Sequence, residues 1–292
     1  MSSRDLFALI AHEMDVETII VSAFEMYKNR KNGSDKYNSY DNIPQNLIKL
    51  YYSVDNNHSS FVEIMTTFKE KYIIQESKLE GVHNIEEING LGVVYDYIRS
   101  DEWHKCPNIY IILAINSRLF SLTPFPEFGG TFRNNNCYIG DSNVQTTPYL
   151  EIPQNIQSLW SEFDKLMNWG IKLNNNKSID TEDSLIEYIN SCLKLKCRLV
   201  EIHPFADGNG RTMRALVNLL FKIAGLPPIY VKRSERSKYL AAMGKAISEN
   251  DYSAINKFYY YKICDSIIEL DINQRRKTGK KNERKLQTKG CI

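Results

Sequence analysis

Between His203 and Arg214 the chain runs His-Pro-Phe-Ala-Asp-Gly-Asn-Gly-Arg-Thr-Met-Arg, which gathers an imidazole, a carboxylate, two glycines and two arginines in twelve residues. His203 titrates near neutrality, so its ring can take a proton from a hydroxyl. Asp207 is a hard oxygen donor of the kind that binds Mg²⁺ alongside phosphates. Gly208 and Gly210 let the backbone turn tightly and come close to a ligand. Arg211 and Arg214 stand at i and i+3 and project from one side of a helix's first turns, where planar guanidinium groups hold phosphate oxygens. A base, a metal carboxylate, a phosphate cradle and two arginines together suit nucleotide-dependent group transfer.

That chemistry needs two helices. One must end before the loop, and the pattern predicts it over about Thr181 to Val200. The second must begin just after the glycines, so that its unpaired N–H groups and positive dipole end face the ligand. Arg211 to Ala224 fits, with Leu216, Val217, Leu219, Leu220 and Ile223 on or near one face and Gly225 as its stop. Helical spacing also recurs at Phe61 to Phe68, Ile88 to Ile98, Tyr110 to Phe120, Gln154 to Trp169, Ser237 to Ser248 and Tyr252 to Leu270. The stretch from Pro124 to Pro153, rich in Pro, Gly, Asn and Thr, reads as an irregular loop carrying a small hairpin near Thr131 to Ile139. The expected fold class is all-α, a helical bundle with one small β-hairpin.

Composition agrees with a folded chain and argues against disorder or a membrane protein. Of 292 residues, 42% are hydrophobic and 25% charged. The net charge of +2 hides a basic end: residues 275–292 hold eight Lys or Arg against one Glu. The basic character is therefore terminal, and a solvated tail explains it better than a nucleic-acid arm. Cys106, Cys137, Cys192, Cys197, Cys264 and Cys291 form no CxxC pair, and the first fifteen residues lack the apolar stretch of a signal peptide. Reduced thiols, a cytoplasmic location and no membrane partner are expected.

The loop resembles the signature of the Fic family (filamentation induced by cAMP), His-x-Phe-x-Asp/Glu-Gly-Asn-Gly-Arg-x-x-Arg, at every fixed position. The resemblance implies a Fic-fold helical bundle and a protein adenylyltransferase that moves AMP from ATP to a Ser, Thr or Tyr hydroxyl of a target protein. It implies His203 as base, Asp207 as Mg²⁺ ligand, and Gly208, Asn209 and Gly210 as the phosphate cradle. Arg211 and Arg214 would hold the outer phosphates, with Phe205 as a buried anchor. Gly130-Thr131-Phe132-Arg133, followed by Tyr138-Ile-Gly140, resembles the family's flap, a hairpin that docks the target segment by strand addition. Tyr239 resembles a position lining the nucleotide site. Transfer of another nucleoside monophosphate or of phosphocholine stays open on the loop alone.

Glu76-Ser-Lys-Leu-Glu80-Gly81 resembles the family's inhibitory motif, Ser/Thr-x-x-x-Glu-Gly/Asn, N-terminal to the core. There the Glu pairs with the second loop arginine, so Glu80 would meet Arg214 and keep it from the γ-phosphate. The chain departs at one place: Glu76 stands where the family has Ser or Thr, and a second carboxylate there could bind Arg214 or repel Glu80. The same Glu80 could align water for removal of AMP, so a de-AMPylase or a bifunctional enzyme is an alternative. A non-catalytic nucleotide-binding regulator is another, against which the intact His203 and Asp207 speak. The expected organisation is a helical extension over 1–71, a Fic core with its inhibitory helix over 72–273, and a basic tail over 274–292. Self-modification and a homo-oligomer are within the family's repertoire.

Overall fold

The computed structural model describes residues 61–138, 146–175, 182–266 and 269. The expected N-terminal extension lies almost wholly outside these, as does the basic tail. The chain divides into two compact units: Met65–Tyr259, and a smaller one from the residues on either side. Within the smaller unit residues 260–266 are helical, and Lys262 pairs with Asp265 at 2.7 Å. The functional loop lies in the larger unit.

The helices are α1 (Phe61–Glu80), α2 (Ile85–Arg99), α3 (Ile111–Phe120), α4 (Ile152–Ser158), α5 (Trp160–Asn175), α6 (Glu182–Ile202), α7 (Asn209–Ile223) and α8 (Arg236–Ser248). Residues 253–266 form α9. The expected helix over Gln154 to Trp169 is two helices: the ladder is reset at Leu159, whose N–H bonds Ile156 O and whose carbonyl then accepts from Phe163. Among the described residues the only strand-like position is one bridge residue, Tyr138, and 139–145 lie outside the description. The hairpin expected from Thr131 onward is therefore not seen.

Helix α7 forms the centre. It touches α2, α3, α5 and α6, and of its residues only Gly210 and Lys222 escape burial. A helix buried on every side must satisfy its polar groups internally. Asn218 does so by exchanging both side-chain hydrogen bonds with the backbone of Ile229, at 3.0 and 2.7 Å. Leu216 and Phe221 on this helix, and Leu193, Leu195 and Phe205 outside it, are all buried. No helix among the described residues is long and apolar enough to cross a membrane, and the five described cysteines are unpaired.

Candidate active site

The loop is built from α7's N-terminus backwards. Gly208 precedes the helix in the left-handed region, φ +75°, and a Cβ there would stand 2.7 Å from Leu119 Cδ2 and 3.1 Å from Asn116 Nδ2. Only glycine meets both demands. Asn209, the first helical residue, donates from Nδ2 to Phe205 O at 2.7 Å and accepts from Phe205 N–H at 2.9 Å. That pair pinches the loop over Phe205, which is itself buried. The amide of Asn209 is thus used within the loop, where it fixes the turn from beneath.

Asn116 on α3 adds a second clamp. Its Nδ2 donates to Asp207 O at 3.2 Å and Thr212 Oγ1 at 3.1 Å, while Oδ1 accepts from Gly130 N–H at 2.9 Å. Nothing in its sequence surroundings marks this residue, because its partners are distant in the chain.

His203 follows the last turn of α6, also left-handed at φ +52°. Burial holds its imidazole pKa below the ordinary value, and the charge of Arg133 pushes the same way; the Val200 carbonyl and Asp207 act in the opposite sense but lose. The shift favours the neutral ring, the form that can accept a proton.

Arg211 and Arg214 are both buried, each 4% exposed. Arg211 pairs with Glu87 at 2.6 Å and donates to both oxygens of Asp207, at 3.2 and 3.1 Å. Glu87 is brought there by Asn84, whose Oδ1 caps the first turn of α2 through the N–H groups of Glu86 and Glu87. Arg214 meets Glu76 through Nε at 2.7 Å and Glu80 through Nη2 at 2.6 Å.

Glu80 is the last residue of α1, and Gly81 ends the helix at φ +69°. Arg236 donates to Leu79 O at 3.2 Å, a cation at the negative end of the helix. Burial works to raise the Glu80 pKa, but the charge and hydrogen bonding of Arg214, with Arg211 and Arg236, outweigh it and hold the carboxyl below the ordinary value. Its Oε1 would be 2.7 Å from a Cβ on Gly210, so the carboxylate lies against the first turn of α7, where a helix accepts an anion.

Asp207 exposes its carboxylate. Among the described residues no group of three or more His, Cys, Asp or Glu could cage an ion. A lone carboxylate fits a Mg²⁺ whose other ligands are phosphates and water.

The remaining expected residues divide. Tyr239 is buried, accepts from Lys196 Nζ at 2.8 Å and contributes to the electrostatic surroundings of Arg214. Thr131 is exposed, and the Phe132 ring lies 6.3 Å from that of Phe205. Arg133, expected on a surface that meets a target, turns its guanidinium inward and is buried.

Residues 107–221 match the Fic/DOC family model. The chain carries a Fic domain. It is similar to the Protein adenylyltransferase Fic of Drosophila sechellia, 29% identical over 212 residues, 72% of this chain and 39% of that protein. The chain thus spans about two fifths of the length of the curated relatives it matches. Among solved structures, Fic-1 (aa134 - 508) from C. elegans superposes with a TM-score of 0.63 at 19% identity, covering 81% of this chain and 73% of that one. A Fic domain containing signaling protein from Bacteroides thetaiotaomicron gives 0.60 at 17%, covering 78% and 95%. These likenesses establish the Fic fold.

Proposed function

We propose that this protein is a protein adenylyltransferase that moves AMP from ATP to a Ser, Thr or Tyr hydroxyl and is restrained by Glu80. The observation that carries the reading is the pairing of Arg211 with Asp207 and of Arg214 with Glu80 at the first turns of α7, with His203 at the entrance of the same loop. The adenylyltransferase name of the fly relative supports it.

In this reading the phosphates lie over the N–H groups that open α7. The neutral imidazole of His203 takes the proton of the attacking hydroxyl. The hydroxyl oxygen bonds to the α-phosphorus as the bond to the pyrophosphate oxygen breaks in line. Arg211 and Arg214 stabilise the charge on the departing phosphates, and positioning supplies most of the rate. Bound with the nucleotide through Asp207, Mg²⁺ supplies further charge neutralisation. The Glu80 carboxylate competes with the outer phosphates for Arg214 and for the helix terminus, so ATP is not held productively while it stays.

The test is incubation of wild type, Glu80→Gly and His203→Ala with α-labelled ATP and Mg²⁺, read by intact mass. An AMP adduct in Glu80→Gly that is absent in His203→Ala is expected. No label in any form, with ATP bound, would overturn the transferase reading.

A further inference from the structure

The residue that fixes the base comes from far away in the chain. Helix α6 ends at Ile202 with no basic residue in its last turn. Its final carbonyls have no helical partner and carry the negative end of the dipole. Arg133 supplies what is missing. Its Nε donates to His203 O at 2.7 Å, its Nη2 reaches Ile202 O at 3.4 Å, and its backbone N–H donates to Pro204 O at 2.9 Å. One residue therefore meets three successive carbonyls centred on His203.

The far side of the guanidinium is fully engaged as well. Nη2 donates to Thr146 Oγ1 at 3.0 Å and to Thr147 O, and Nη1 to Asn135 O. The side chain is 4% exposed, so it is unavailable to a docking protein. His203 holds a left-handed conformation, which a residue with a Cβ keeps only when its surroundings impose it. The Arg133 contacts to the carbonyls on either side of that residue are such a constraint.

We propose that Arg133 is a positioning residue: a C-cap supplied from the 130–138 segment that holds His203 in its left-handed conformation and so aims the imidazole. This rests on His203 being the base of the proposed transfer. Nucleotide binding at α7 does not pass through Arg133, so its loss acts on the rate and spares ATP affinity.

The test uses the full chain carrying Glu80→Gly, compared with the same chain carrying Arg133→Gln or Arg133→Lys. Self-labelling is followed at varied Mg-ATP, ATP binding by calorimetry, and the His203 ring by its NMR cross-peaks. The rate at saturating ATP is expected to fall roughly 100-fold in both variants, the loss a small misplacement of a reacting group brings. Half-saturation and ATP affinity stay unchanged, and the single His203 ring signal becomes broadened or multiple. Lys keeps the charge but not the planar fork, so it does not rescue, and it carries the test if the Gln variant fails to fold. An unchanged rate, full rescue by Lys, or a parallel loss of ATP affinity would overturn the proposal. If the parent chain labels nothing, the transferase reading has failed, and the ring signals still decide: an unaltered His203 signal in the variants overturns the cap.

Discussion

Glu76 Oε2 stands 2.7 Å from Arg214 Nε, and both side chains are almost completely buried. Glu80, four residues later on the same face of α1, holds the same guanidinium from a half-exposed position. Arg214 thus faces two carboxylates of unlike accessibility. Two negative charges share one positive charge, and the more deeply buried carboxylate bears the cost. Burial raises the Glu76 pKa despite the opposing pull of Arg214, and its Oε1 has no hydrogen-bond partner among the described residues. Arg214 itself is held ionised by Glu76 and Glu80 against the effect of burial.

Glu80 is the more exposed half of this clamp, and in the proposed reading it is the half that an incoming phosphate displaces. Glu80→Gly is expected to raise AMP transfer between about 5- and 150-fold, the range of an ordinary coupling between competing ligands. An unchanged rate in a label-transfer assay would dismiss the brake.

Glu76 serves stability. With Glu80 absent, Arg214 depends on Glu76, and the pair Glu76→Ala with Glu80→Gly leaves a buried guanidinium without a carboxylate. The double variant is expected to lose about 3–5 kcal/mol, and either single variant less. Urea unfolding of the four proteins checks this.

The raised Glu76 pKa has a definite sign. Its contribution to stability is fully present below the ordinary carboxylate value and is lost as pH rises through the raised folded value. Wild type should therefore gain on Glu76→Gln as pH falls from 7 towards about 4.3. Denaturant titrations of both proteins at several pH values read the difference directly.

As the proposed base, His203 would set the acid limb of activity. Because burial and the charge of Arg133 hold its imidazole pKa below the ordinary value, the acid limb of transfer should lie at lower pH than a free imidazole would give. A pH–rate profile at saturating Mg-ATP whose acid limb lies above 6.5 would contradict this.

Asn209→Ala removes both side-chain hydrogen bonds to Phe205 and leaves buried backbone groups unpaired. A loss of about 1–3 kcal/mol is expected, with transfer reduced because the cradle opens. Thermal melts and label transfer on the same preparation separate the two effects.

The layout of the 203–214 loop was legible in the sequence because its parts are local. Glycines before a helix start, an arginine pair one turn apart and an imidazole at the loop's beginning are all matters of spacing along one stretch. The central helix was legible too, from its apolar residues, its start near Asn209 and the stop at Gly225. The pairing of Glu80 with Arg214 was expected from a resembling motif, and the packing of α1 against the start of α7 brings them to 2.6 Å. The sequence alone left open what Glu76 does beside that arginine, since a second carboxylate could bind Arg214 or repel Glu80. It also left Arg133 facing a target rather than Ile202, His203 and Pro204, and gave Asn116 no role at all. Each of these is a contact between residues far apart in sequence: 138 positions for Glu76 and Arg214, 70 for Arg133 and His203, 91 for Asn116 and Asp207. Local propensity carries no information about such pairs, because they are decided by which buried polar groups must find partners once the helices close around α7.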